Sequence, residues 1–184
     1  MLVAVDLDDV LADLISCLIR THEEIVGEQL ERSQATSWDV FPPAVHDHVR
    51  YEGGYGTLLP LPYAREFLGW LRERHTVHIV TYRGAHAQQV TENWLAQHVD
   101  GRFDGLHLTG GGKVDACREL GADLIVDDSY NQIPAVTDAL QIPGILIDTP
   151  MNQHIQESAL VRRARGLRQA RRVIEDLQRE DRLA

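Results

Sequence analysis

Leu2-Val3-Ala4-Val5-Asp6-Leu7-Asp8-Asp9-Val10-Leu11-Ala12-Asp13 is the stretch that decides the fold. Its first half, Leu2–Leu7, is a short apolar run of the kind that forms a strand buried on both faces, and it ends in acids. From Val10 the period changes. Leu11, Leu14, Ile15, Leu18, His22, Ile25 and Val26 recur every three or four residues, which predicts a helix over Val10–Val26. Four more runs of the first kind follow: Thr76–Thr81, Leu106–Thr109, Asp123–Asp127 and Gly144–Asp148. Helical patterns separate them. Phe67, Leu68 and Leu71 lie behind Pro62, Val90 leads to Trp94 and Leu95, and Lys113–Leu120 stops at Gly121, a residue suited to a left-handed cap. Alternation of this kind predicts an α/β fold with a doubly wound, parallel, five-stranded sheet.

One connection breaks the rhythm. Residues 27–61 carry Pro42, Pro43, Gly53, Gly54, Gly56 and Pro60 among the aromatics Trp38, Phe41, Tyr51 and Tyr55. That is too long for a plain loop in a compact domain, so a small cap or lid is expected after the first strand and helix. The aromatics suit either the lid's own core or contact with a substrate. At the other end, Leu160–Ala184 holds eight Arg against four acids, and residues 156–184 are expected as a solvated, Arg-rich C-terminal helix.

Composition narrows the function. The 184 residues carry a formal charge of −10, which disfavours a duplex nucleic-acid binder. No apolar run approaches the ~20 residues of a membrane span, and no basic segment precedes the first apolar stretch, so a soluble, cytoplasmic protein is expected. Cys17 and Cys117 fall inside helical patterns and read as small buried residues. Of the 18 basic residues only Lys113 is a lysine, as for a site that needs a compact ammonium a guanidinium would not fit.

In an open α/β sheet, ligands bind beyond the carboxyl ends of the strands. Here those ends are Asp6-Leu7-Asp8, Thr81, Thr109, Asp127-Asp128 and Asp148. Crowded carboxylates raise one another's pKa unless a cation sits among them, and an all-oxygen ligand set suits Mg²⁺. Gly110-Gly111-Gly112-Lys113 is not a P-loop, because Val114 stands where Ser or Thr would bind magnesium. His46 and His48 lack metal-ligand spacing with the other histidines.

These residues resemble the motifs of the haloacid dehalogenase-like hydrolases, in particular the 5′(3′)-deoxyribonucleotidase branch and its bacterial relatives. Asp6-Leu7-Asp8-Asp9-Val10-Leu11-Ala12-Asp13 is similar to the first motif, Thr81-Tyr82-Arg83 to the second, Lys113 to the third and Leu124-Ile125-Val126-Asp127-Asp128-Ser129 to the fourth. Softer similarity lies in Thr91–Leu95 and in Asp148–Asn152, and the resemblance covers residues 1–155 as a catalytic domain including the cap. It departs from the family at Asp9, often Gly there, and at Tyr82, often a small residue.

The resemblance implies a Mg²⁺-dependent phosphomonoesterase acting on a small phosphorylated substrate through an aspartyl-phosphate on Asp6. Asp8 would be the general acid and base, and Thr81 and Lys113 would bind the phosphoryl group. Asp6, the Asp8 carbonyl and Asp128 would hold the metal, with Asp127 acting through water. Candidate substrate contacts are Asp13, Trp38, Phe41, Tyr51, Tyr55 and Arg83. A nucleotide is the first substrate class and a sugar phosphate the alternative. A phospho-accepting signalling module is a different class, but it has its acid pair on the first strand, its acceptor on the third, its lysine on the fifth and no lid, whereas here Lys113 precedes the second acid pair. A catalytically dead scaffold would lack groups that are all present here.

Overall fold

The computed structural model describes residues 1–181. The five expected strands form within two residues of their expected bounds: β1 (Leu2–Val5), β2 (Thr76–Thr81), β3 (Gly105–Leu108), β4 (Leu124–Asp127) and β5 (Gly144–Ile147). A sixth joins them, β6 (Val161–Ala164), and corrects the expected count of five. It lies in the segment expected as a helix over 156–184, of which only Leu167–Asp181 is helical among the described residues; in the strand Val161 and Ala164 are buried while Arg162 and Arg163 are half-exposed. A four-residue edge strand with two arginines carries no apolar run to read.

The order is β3-β2-β1-β4-β5-β6, and every pairing is parallel. The chain winds from β1 out to β3, returns to β4 beside β1 and winds out the other way. The switch point therefore falls between β1 and β4.

Among the described residues the helices are α1 (Leu14–Val26), α2 (Pro43–Tyr51), α3 (Ala64–Arg72), α4 (Gln88–Val99), α5 (Val114–Leu120), α6 (Gln132–Leu140) and α7 (Leu167–Asp181), of which α2 belongs to the cap and the others pack around the sheet. Both faces are buried, as the apolar strands require. Val3 and Val5 face a cluster with Ile15, Leu18, Phe67, Leu68, Trp94 and Ile174, whereas Ala4 faces Cys117, Ile133 and Val136. Both cysteines are buried and free. Gly121 takes the left-handed cap of α5, at φ +66°.

Helix α1 starts four residues later than the periodicity predicts. Asp9 is left-handed at φ +55°, and the Leu11 and Ala12 N–H groups both bond back to the Leu7 carbonyl. The helix begins only after this turn, with the Asp13 carboxylate accepting from Ser16 N–H at 3.2 Å.

Residues 27–61 form a cap of α2 and three short 3₁₀ turns. Ala35, Phe41, Val45, Val49 and Leu58 share the cluster of Leu14 and Leu18, so the cap is fused to α1. Its return strand is pinned by Leu61 N–H to Leu11 O (2.7 Å) and Asp13 N–H to Leu59 O (2.9 Å). Among the described residues, no helix is long and apolar enough to cross a membrane.

Candidate active site

Strand register assembles the acids. Val5 pairs with Val126, and Asp6 N–H donates to Val126 O at 2.9 Å, so Asp6 and Asp127 leave adjacent strands side by side at the switch point. Asp128 follows, and one carboxylate oxygen from each of Asp6, Asp127 and Asp128 lies within 4.8 Å of the others. Lys113, the residue capping α5, reaches into this cluster. Its Nζ is 2.6 Å from Asp6 Oδ1 and 2.6 Å from Asp127 Oδ2. Its backbone N–H donates to Gln132 Oε1 at 2.9 Å, which ties the lysine to α6.

Burial pushes the Asp6 carboxyl up to about 7; Asp127 and Asp8 add to this against the pull of Lys113. Asp128 is raised well above the ordinary carboxylate range by burial, then by Asp9, Asp127 and Asp6. Burial alone would lower the Lys113 ammonium, but Asp127 and Asp6 raise it instead. Three carboxylates face one ammonium, so the cluster holds excess negative charge in a buried setting. Asp6 Oδ1 has no hydrogen-bond donor beyond Lys113. Asp127 is different, with Oδ2 on Lys113 and Oδ1 accepting from Ser129 N–H at 2.8 Å. Hard oxygen donors with uncompensated charge fit a divalent cation such as Mg²⁺, with Asp6 and Asp128 freer to ligate than Asp127.

The other expected residues divide into two groups. Asp8, Trp38, Tyr55 and Arg83 border the same 440 Å³ cavity as Asp6, Lys113, Asp127 and Asp128. Arg83 grips Asp8 with two nitrogens, Nη2 at 2.6 Å from Oδ1 and Nε at 3.0 Å from Oδ2. Thr81 does not border the cavity: it is fully buried at the end of β2, its Oγ1 accepting from the Arg83 backbone N–H at 3.3 Å.

Asp13, Phe41 and Tyr51 lie apart from the cavity. Asp13 caps α1 and pairs with Arg32 at 2.7 Å, which holds its carboxyl below the usual range in spite of partial burial. Phe41 is buried beside His22 and His46 in the cap core, and Tyr51 is exposed against His86. His46 bonds the Trp38 carbonyl and His48 pairs with Glu52, so the two do not converge.

Sequence reading missed three contributors. Arg50 and His46 border the cavity from α2 and have no sequence signal beyond their place in the lid. Asn152 is fully buried, its Nδ2 donating to the carbonyls of Asp128 and Ile147, both at 2.7 Å. Its signal was the stretch Asp148–Asn152, read only as a softer similarity.

The sequence matches the family described as "5' nucleotidase, deoxy (Pyrimidine), cytosolic type C protein" over residues 1–178. The chain belongs to that family. Within reach of this nucleotidase family are two curated relatives. A candidate nucleotidase of Halalkalibacterium halodurans is 32% identical over 85 residues, 46% of this chain and 43% of the relative. A candidate nucleotidase of Bacillus subtilis is 29% identical over 110 residues, 59% of this chain and 56% of the relative. The chain thus spans about half the length of the curated relatives it matches. A solved haloacid dehalogenase-like family hydrolase from Xanthomonas campestris superposes with a TM-score of 0.66 at 10% identity, covering 98% of this chain and 96% of that one. At that identity the likeness concerns the fold, and the fold is the one the motifs imply.

Proposed function

We propose that this member of the nucleotidase family hydrolyses the phosphomonoester of a small molecule, with a nucleoside monophosphate as the first substrate class and Mg²⁺ as cofactor. The observation that carries this reading is Asp6, a buried carboxylate at the switch point that borders the cavity and whose Oδ1 has, among the described residues, no hydrogen-bond donor beyond Lys113. Asp6 attacks phosphorus in line; the Asp6–phosphorus bond forms as the bond to the leaving oxygen breaks, and Asp8 gives that oxygen its proton. Asp8 then takes a proton from water, whose oxygen attacks phosphorus and releases Asp6. Lys113 steadies the charge between nucleophile and phosphoryl oxygens. The Thr81 hydroxyl accepts from Arg83 N–H and keeps its own proton to donate. Asp6, Asp128 and the Asp8 main-chain carbonyl would hold Mg²⁺, with Asp127 orienting Lys113. When bound, the cation neutralises charge on the carboxylates and the phosphoryl group.

The substrate class is supported by the family description, by the two relatives and by the cavity, whose 440 Å³ lies within the ~300–1,000 Å³ of small-molecule sites. A phosphate-release screen over nucleoside monophosphates, sugar phosphates and phosphoamino acids, with Mg²⁺ or with chelator, tests it. Nucleotides should lead, chelation should abolish release, and Asp6→Asn should fold but lose at least about a thousandfold in rate. A sugar phosphate turned over best would reassign the substrate. Release undiminished by chelator, or more than a tenth of wild-type rate in Asp6→Asn, would remove the mechanism.

A further inference from the structure

Arg83 borders the cavity, yet its side chain is fully buried and each of its three nitrogens already has an acceptor. Nε and Nη2 take both oxygens of Asp8, at 3.0 and 2.6 Å. Nη1 donates to Thr91 Oγ1 on α4 at 3.1 Å. The Tyr55 ring of the cap covers the guanidinium, 3.8 Å from centroid to Cζ. Thr91 and Tyr55 are themselves buried, and Gly54 sets Tyr55 in place, since a Cβ on Gly54 would lie 2.5 Å from Val49 Cα.

We infer that Arg83 is a positioning residue for Asp8, a fork held by α4 and by the cap that fixes the plane of the Asp8 carboxylate. Two parallel N–H donors on two oxygens stop the carboxylate rotating, which a single contact would not. Each oxygen keeps a second lone pair, so the fixed carboxyl can still carry the proton that moves to the leaving oxygen and is later taken back from water. Proton transfer needs reach of about 2.6–3.2 Å, and a rotated carboxylate misses it. The cap is therefore part of the acid–base apparatus through Tyr55.

The kinetic arm of the test rests on the phosphomonoesterase reading; the crystallographic arm does not. Arg83→Lys keeps the charge but cannot make the fork. With thymidine 5′-monophosphate its kcat should fall at least about thirtyfold, within the range general acid–base catalysis supplies, while KM stays within about threefold. With 2,4-dinitrophenyl phosphate, whose leaving phenolate needs no proton, first-turnover release of phenolate should slow less than about threefold, whereas steady-state turnover, which needs Asp8 to take a proton from water, should fall with that of the nucleotide. Tyr55→Leu, which leaves the fork intact but uncovers it, should move the same ratio in the same direction by a smaller factor. Equal losses in the first turnover of both esters, or a loss carried by KM, would overturn the inference in favour of a structural or substrate-binding role. Crystal structures of wild type and Arg83→Lys give the second arm. A rotated Asp8 carboxylate in the variant is expected, and an Asp8 in the same conformer overturns the inference whatever the kinetics. Should wild type hydrolyse neither ester, the proposed activity falls, and the Asp8 conformer still decides the role of Arg83.

Discussion

Lys113 joins two carboxylates that would otherwise repel each other. At 1% side-chain exposure it has no room for a wider head group, so Lys113→Arg places a planar fork where a compact ammonium sat. Turnover should fall on the order of tenfold or more, each tenfold being ~1.4 kcal/mol of barrier, and a variant at wild-type rate would remove Lys113 from the site. Its importance was legible as the only lysine in an arginine-rich chain, and Asp6 and Asp127 were expected at the same sheet edge; its direct contact with both was not legible, because they stand at the ends of β1 and β4 and meet only through register. The acids it leaves uncompensated predict a pH dependence. A carboxyl raised in the native state holds its proton more tightly there than in the unfolded chain, where it titrates near ~3.9. The stability it lends is full below that value and is lost as pH rises through the native pKa, about 7 for Asp6, with Asp9 and Asp128 raised in the same direction. In chelator, the protein should therefore melt at least about 4 °C lower at pH 8 than at pH 5.5, the effect of roughly 1–2 kcal/mol in a chain of this size. Mg²⁺ should recover more of the melting temperature at pH 8, since protons compete with the cation for the same oxygens. A melting temperature that is flat or rising with pH in chelator would contradict the raised carboxyls.

Strand β6 gives the Arg-rich segment a part in holding the site. Arg163 leaves β6 to pair with Asp148 at 2.7 Å and to donate to the Asn152 carbonyl and Oδ1, both at 3.0 Å. Asn152 in turn holds the Asp128 carbonyl, so a chain of polar contacts runs from the sheet edge to a proposed metal ligand. Asn152→Ala would leave the carbonyls of Asp128 and Ile147 buried without this donor, at a cost of about 1–3 kcal/mol each. Its Mg²⁺ dissociation constant, measured by titration calorimetry, should rise about tenfold or more, the usual effect of losing a group that orients a ligand. Unchanged Mg²⁺ affinity in a destabilised variant would confine Asn152 to the fold. The elements legible in the sequence are those with a short, mostly apolar run or an apolar helical period, β1 to β5 with α1, α3, α4 and α5. The residues that escaped are of another kind. Val161-Arg162-Arg163-Ala164 shows neither an apolar run nor alternation, α2 lies among turn-forming residues, and α6 carries Pro134 in its first turn.

At the scale of the whole molecule, two structures meet across one cavity: a sheet edge that carries the acids, and a cap that reaches it through Arg32 on Asp13, Tyr55 on Arg83 and the Leu58 carbonyl accepting from Trp94 Nε1–H at 2.8 Å. The cap shares its apolar core with α1, so it is built to stay seated and to shape the space above the acids. The sequence located the cap but not its division of labour. Of its four aromatics, Phe41 is structural, Tyr51 faces away, Tyr55 serves Arg83, and Trp38 alone is both on the cavity and 38% exposed, with its ring only tilted against His46. An exposed indole bordering the cavity is suited to stack on a flat leaving group, a contact worth about 1–3 kcal/mol for a base. Trp38→Ala should then lower kcat/KM for a nucleoside monophosphate by about tenfold, chiefly through KM, each tenfold being ~1.4 kcal/mol. The same variant should hydrolyse 2,4-dinitrophenyl phosphate and glycerol phosphate at close to wild-type rates, because the sheet edge that does the chemistry is untouched. If all three substrates lost activity equally, Trp38 would be holding the cap in place rather than reading the substrate, and the cap's work would be to complete the catalytic site and keep water out of it.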